Sequence, residues 1–416
     1  MTQVDRQHLL TIYQAAIEGV NGRRAVMRYF ASHTFADDAP CYLIAIGKAA
    51  ASMAQGTFDQ LDRHIEHALV ITRYGYGEWL NIADYPLELI EAGHPQPDES
   101  SLIAGQRLLA LLDEAPSNAH FIFLISGGTS ALVEQLPATI DLNELQQINR
   151  WLLGSGLAID EINQIRRALS LIKGGRLIPY LNGRTALNLL MSDVPGDDPA
   201  VIGSGLLVAQ QNNCSQAVMD KVPVWLQHHL EVASVDMDGM SAQIDTVIVA
   251  ASKDARRSAT VAAKALGYPV HCHDDFIDGD VVTAAQQLAH ELNHSEPGIH
   301  IWSSETTVQL PDAVGQGGRC QQLALAVAQA MSGDRQWLLL AAGSDGSDGG
   351  INQDEADAGA MVDSGTIQCG QLAGFDVSIA LEQANAGAFL EASGDLIMTG
   401  PTGANVMDLI IAYVPE

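Results

Sequence analysis

The feature that most constrains this chain is a rhythm. Short, continuous apolar runs alternate along its length with longer segments of helical period. The first runs are Cys41–Gly47 (CYLIAIG), His67–Thr72, Leu87–Gly93, His120–Gly128 (HFIFLISGG) and Thr185–Val194. A second series follows at Thr246–Ser252, Gly298–Thr306, Gln336–Gly346 (QWLLLAAGSDG), Asp395–Gly400 and Asp408–Val414. Many of them are apolar at successive positions, the pattern of parallel strands covered on both faces. The segments Asp98–Asp113, Asp141–Leu153, Asp254–Leu266 and Asp278–His294 read as amphipathic helices, several of them beginning with an Asp suited to an N-cap. The expected class is therefore α/β: two domains, each with a largely parallel sheet flanked by helices, and an active site in the interdomain cleft. The acidic stretch Glu231–Gln243 separates the two series. It divides the chain into an N-terminal α/β domain, residues 1–235, and a C-terminal α/β domain, residues 236–416.

Composition narrows the class further. Hydrophobic residues make up 47% of the 416, enough for large cores, which excludes a disordered chain. The formal net charge of −29 argues against nucleic acid or an anionic membrane as partner. No apolar run approaches the ~20 residues that span a bilayer. The first residues, MTQVDRQHLLTIYQ, lack the basic-then-apolar order of a signal peptide. The five cysteines are odd in number, scattered and never in C-x-x-C spacing, so reduced thiols and a cytoplasmic location are expected. A homo-oligomer stays open.

In open α/β sheets ligands bind beyond the carboxyl ends of strands, so the residues after each run are the informative ones. Lys48 follows the first run at a helix start, where a cation makes sense beside a bound anion. Ser126-Gly127-Gly128-Thr129-Ser130 follows the strongly apolar FIFLI and could form an anion-binding nest, or an ordinary strand-to-helix turn. G-x-x-x-x-G-K-[ST] and G-x-G-x-x-G are both missing, which removes a P-loop and weakens any nicotinamide site. Arg166, Arg167, Lys173, Arg176 and Arg184 stand against the single acid Glu161 between 161 and 186, an uneven share for so acidic a chain. Lys173-Gly174-Gly175-Arg176 suits an anionic ligand, or else surface salt bridges. Asp193 and Asp345 end later runs and suit a hard cation or a general base. Gly317-Gly318-Arg319 opens an apolar helix and could aim a guanidinium and backbone N–H groups at a carboxylate or phosphate. These parts fit phosphoryl transfer. His271-Cys272-His273 is a poor metal site, because neighbours on a strand point to opposite faces.

Taken in order, the motifs resemble the class II glycerate kinases, the family with a C-terminal MOFRL domain. The matching stretches are Ile46–Ala50, Gly93–Asp98, Ser126–Leu132, Leu171–Arg176, Ser192–Asp197, Gly317–Arg319, Ser344–Gly349 and Thr399–Val406. The resemblance implies an ATP-dependent kinase that phosphorylates D-glycerate at the 2-hydroxyl with Mg²⁺, giving 2-phosphoglycerate. It implies Lys48, Arg319 and Asp193 as catalytic residues. Ser126, Gly127, Gly128, Ser130, Lys173, Arg176, Gly317, Gly318 and Asp345 would bind substrate or nucleotide, and Asp193 and Asp345 the metal. A hydroxypyruvate reductase, or a divergent paralogue that only binds nucleotide or a hydroxy acid, are the alternatives. The chain departs from the family pattern at Ser303, Ser304, Cys320 and Gln322. If the carboxylate lost at 322 matters, Gln322→Glu is expected to raise activity.

Overall fold

The structure is a computed structural model that describes residues 2–33, 39–61, 65–80, 86–210, 214–232, 242–311, 313–331, 335–348 and 357–416. It divides into two compact units, Met1–Asn21 with Ala251–Glu416, and Gly22–Ala250. The chain opens with helix α1 (Gln3–Val20), N-capped by Thr2.

The Gly22–Ala250 unit runs α2 (Gly22–Ser32), β1 (Cys41–Ile46), α3 (Ala50–Leu61), β2 (Ile65–Arg73), β3 (Leu87–Ala92), α4 (Glu99–Glu114) and β4 (His120–Ile125). It continues with α5 (Thr129–Leu132), α6 (Leu142–Gly154), α7 (Ile159–Leu169), β5 (Ala186–Met191), α8 (Gln216–Met219), α9 (Val224–Val232) and β6 (Ile244–Ala250). All five strand pairings are parallel, in the order β3-β2-β1-β4-β5-β6. The order reverses between β1 and β4, where connections leave in opposite directions and open a crevice above their carboxyl ends. Ile44, Ile46, Phe121, Phe123 and Ile125 help fill the main core. A smaller core of Leu145, Ile148, Leu152, Ile165, Leu169 and Leu226 joins α6, α7 and α9.

The other unit continues with α10 (Ser252–Ala265), β7 (Val270–Asp280), α11 (Val281–His294), β8 (Gly298–Thr307), α12 (Arg319–Ala330), β9 (Leu338–Gly343) and β10 (Asp357–Asp363). After these come α13 (Thr366–Leu372), α14 (Val377–Glu382), α15 (Ala386–Ser393), β11 (Leu396–Met398) and β12 (Asp408–Val414). Its sheet order is β11-β10-β9-β12-β8-β7. Only β7 and β8 pair in parallel, and every other pairing is antiparallel. The expectation of a largely parallel second sheet is thus corrected. The central strands β9 and β12 are apolar at successive positions because both faces are buried, and that pattern is the same for either strand direction.

The two compact units part at Ala250/Ala251, fifteen residues after the expected boundary at 235/236. Strand β6 pairs with β5, so the first sheet claims the chain up to Ala250. The acidic stretch that suggested the boundary lies largely outside the described residues. At the other end, α1 belongs with the later residues. Its apolar positions Leu9, Ile12, Tyr13, Ala16, Ile17 and Val20 recur at helical spacing, and it packs on α10. Tyr13 donates its hydroxyl to Gly343 O at 2.6 Å. Among the expected caps, Asp98 and Asp141 do cap α4 and α6. Asp254 instead sits inside α10 and Asp278 inside β7, with Asp280 capping α11.

Candidate active site

The carboxyl ends of β1 and β4 are stitched together at the switch point. Ser126 N donates to Ile46 O at 3.0 Å and Lys48 N to Gly127 O at 2.9 Å. Ala49 N donates to Ser126 Oγ at 3.1 Å, and Thr129 Oγ1 donates to Ser126 O at 2.7 Å. The fully buried Ser126 and Thr129 hydroxyls therefore serve the turn and not a ligand. Gly128, with φ of +89°, brings two side chains together. A methyl group there would lie 3.2 Å from both Lys48 Cγ and His94 Cδ2. The backbone N–H groups of Gly127 and Gly128 donate to no other backbone group among the described residues.

Beside this turn lies a cavity of about 220 Å³. The loop after β3 contributes His94, Pro95 and Pro97, and the turn after β4 contributes Gly128, Ser130 and Glu134. Helix α6 presents Leu145, Ile148, Asn149 and Leu152, which share one face at i, i+3, i+4 and i+7. Helix α7 adds Arg166 and Leu169, and Lys173 follows.

The basic run has three different fates. Lys173 is buried, and its Nζ donates to Ser130 O at 2.8 Å and forms an ion pair with the equally buried Glu134. Glu134 in turn accepts from Ser170 Oγ at 2.5 Å. Arg176 is also buried, and it donates to the carbonyls of Arg167 at 2.8 Å and of Ser170, closing the end of α7. Burial holds its guanidinium below the usual arginine range. Arg184 donates to the carbonyls of Leu112, Ala115 and Leu181 and stacks over Phe121. Lys173 and Arg176, expected on phosphates or a substrate carboxylate, are consumed by the fold, since a buried cation needs partners of its own. The glycine pair between them is explained by chain packing. Gly174 N and Gly175 N donate to Ser204 O and Gly205 O, and a methyl group at Gly175 would lie 2.6 Å from Ala209 Cα. Ser130 Oγ is hydrogen-bonded to Ser204 Oγ at the cavity wall. Arg166 differs from these neighbours. Among the described residues it has neither hydrogen bond nor ion pair, and burial alone pushes its pKa down. Asp193 follows β5, partly buried, on the same carboxyl edge of the sheet.

The remaining candidates belong to the other unit. Gly318 caps α12, and Gly317 precedes it. The helix's first N–H groups are taken by Asp348, whose oxygens accept from Cys320 N at 2.6 Å and Gln321 N at 2.8 Å. The acceptor at this helix start is thus the chain's own Asp348 side chain and not an external anion. Arg319 donates to both oxygens of Asp408 and to Glu305 Oε1. Burial opposes its charge, but these carboxylates outweigh that and hold it above the ordinary value. Asp345 is buried, and its Oδ1 accepts from Ser347 N at 2.9 Å. Gly349 of that motif lies outside the described residues. Burial, reinforced by Asp408, pushes Asp348 up to about 8 against the pull of its two N–H donors.

Three of the departures from the family pattern change meaning here. Ser303 and Ser304 sit within β8, opposite Leu409 and Asp408, and not in a strand-end loop. Gln322 is buried and donates to Leu381 O at 2.7 Å, tying α12 to α14. His271, His273, His300 and Trp302 form a stacked row across β7 and β8. Among the described residues, no group of three or more His, Cys, Asp or Glu has the geometry to hold a metal. The sequence reading missed Glu134, Asn149 and Asp408, while Asp348 was legible within its Gly-Ser-Asp run but not as the acceptor of the α12 amides.

A six-stranded parallel sheet with a lysine and a glycine turn at its switch point defines an open, doubly wound α/β protein. Family models match at residues 8–235, a domain of unknown function (DUF4147), and at residues 298–408, the MOFRL family. The chain is 33% identical to the glycerate 2-kinase of Pyrococcus horikoshii, over 90% of this chain and 87% of that one. It is 32% identical to the D-glycerate 2-kinase of Thermotoga maritima, over 89% of this chain and 90% of that one. A crystal structure of glycerate kinase from Thermotoga maritima matches with a TM-score of 0.83 and 30% identity, covering 99% of this chain and 100% of that one. The chain belongs to the MOFRL-bearing glycerate 2-kinase family.

Proposed function

We propose that this protein transfers the γ-phosphoryl group of ATP to the 2-hydroxyl of D-glycerate, giving ADP and 2-phosphoglycerate. The observation that carries the reading is Lys48, packed against the Gly127-Gly128 turn at the switch point, beside a cavity of small-acid size. Phosphoryl transfer asks the protein mainly to position two reactants and to neutralise charge on the moving group. Lys48 supplies a cation there, and the N–H groups of Gly127 and Gly128 supply donors. The hydroxyl oxygen forms the new bond to phosphorus, the bond to the ADP oxygen breaks, and the hydroxyl proton is lost. Arg319 is proposed to supply the second positive charge for the reaction, preset in direction by Asp408 and Glu305.

Mg²⁺ held by one carboxylate together with phosphate oxygens and water needs no protein cage. Asp193 fits that demand on the sheet edge that bears Lys48. Asp345, buried in the other compact unit, fits it less well. The ion would neutralise phosphate charge and orient the chain of phosphates.

Purified protein with D-glycerate, ATP and Mg²⁺, followed by phosphorus NMR, tests the reading. A 2-phosphoglycerate signal with equimolar ADP is expected. NADH oxidation with hydroxypyruvate, and no ADP from glycerate, would overturn it.

A further inference from the structure

Beside Lys48, the cavity holds an excess of one positive charge. Lys173 and Glu134 cancel within their buried ion pair, which leaves Arg166 without a counter-charge among the described residues. Asn149, on the facing helix, is 8% exposed and its side-chain amide also has no partner there. A guanidinium largely withdrawn from water gains from a charged partner, and an amide open only to the cavity has a donor to offer the same ligand.

We propose that Arg166 and Asn149 seat the carboxylate of the acceptor acid, and so select short monoanionic hydroxy acids over neutral polyols and over phosphorylated acids. The inference rests on the kinase reading above and adds the residues that set acceptor class. A guanidinium meets a carboxylate through two parallel N–H···O bonds, and the Asn149 amide donates a third. One net positive charge matches one carboxylate, and a phosphate dianion would bring a charge too many. The volume equals that of about seven liquid waters, room for a three-carbon acid. Leu145, Ile148, Leu152 and Leu169 form an apolar wall that excludes water and strengthens the ion pair. With its carboxylate held there, the acid's hydroxyl can point toward the Gly128 turn and Lys48.

Arg166→Met and Arg166→Lys test this. Because Arg166 forms no internal hydrogen bond, Met should fold with a near-native Tm. The expected result is a KM for D-glycerate raised at least 100-fold in Arg166→Met, a smaller rise in Arg166→Lys, and an unchanged KM for ATP. Asn149→Leu should raise the same KM roughly tenfold, the loss of one hydrogen bond to a charged group. A folded Arg166→Met with wild-type KM for glycerate would overturn the proposal. If the wild-type protein does not phosphorylate glycerate, the kinase reading fails separately, and calorimetry decides this one. D-glycerate or lactate should bind wild type and not Arg166→Met, and glycerol should bind neither. A wild type that binds no short hydroxy acid would end the proposal.

Discussion

Arg319 holds the Asp408 carboxylate with two nitrogens, Nε to one oxygen at 2.6 Å and Nη2 to the other at 3.1 Å, while Nη1 reaches Glu305 at 3.1 Å. Asp408 opens β12 and Arg319 opens α12, so the pair ties the start of a helix to the start of a central strand. This planar fork cannot be copied by a lysine, which offers a point charge. Asp408→Asn should therefore lower stability by about 1–3 kcal/mol, less than for a fully buried pair because Arg319 is 35% exposed. Denaturant midpoints measure it. Arg319→Lys should lose activity with a smaller loss of stability, and equal stability losses in both variants would mean that the fork contributes nothing special.

Lys48 carries the charge argument for catalysis. Lys48→Met should reduce kcat by about 100-fold or more with the fold intact, since a group that acts on the transition state affects kcat and kcat/KM together. Steady-state kinetics against both substrates check it. A rise in KM alone would recast Lys48 as a residue that only binds.

The buried pair of Lys173 and Glu134 makes a sharper stability case. Removing one partner leaves an uncompensated charge among apolar neighbours, so Lys173→Met or Glu134→Gln should each destabilise by about 3–5 kcal/mol. The double variant should recover much of that loss. A double-mutant cycle with additive losses would show that the two charges do not depend on each other.

Gln322→Glu, expected from the family pattern to raise activity, now points the other way. The side chain is 4% exposed and donates to Leu381 O, and a carboxylate cannot donate. The substitution should lower Tm and leave kcat unimproved, which thermal melts and a rate assay will show together.

What the sequence disclosed followed from backbone periodicity. The runs at 41–47, 67–72, 87–93, 120–128 and 185–194 all correspond to strands of the first sheet. Lys48 and Gly128 were legible because a ligand crevice lies at strand ends. The antiparallel pairing of β9 with β12 was not, since direction leaves no mark on a strand buried on both faces. The fates of Lys173 and Arg176 were hidden for a related reason. Whether a cation meets ligand or chain depends on Glu134 and on the carbonyls at the end of α7, and nothing in local spacing announces that encounter. Arg166, five residues past Glu161 on α7, looked no different from Arg167 until the cavity singled it out.

Asp348 makes stability depend on pH in a direction opposite to that of most carboxylates. An unperturbed aspartate titrates near 3.9, and burial together with Asp408 pushes Asp348 up to about 8 in the folded protein. Between those values the folded chain keeps a proton that the unfolded chain has lost. Raising the pH across that window then destabilises the fold, by at most ~1.4 kcal/mol per pH unit for one group. Below about pH 4 both states are protonated and the effect is flat, and above about 8 both are ionised and it is flat again. Asp348→Asn stays neutral throughout and keeps one acceptor oxygen for Cys320 N or Gln321 N. Near pH 4 it should lose only the ~1 kcal/mol of one hydrogen bond, and by pH 8 it should exceed wild type. Urea melts of both proteins at pH 4, 5, 6, 7 and 8 provide the comparison. Parallel curves would mean that Asp348 enters the folded state already ionised, held there by the two amides at the start of α12.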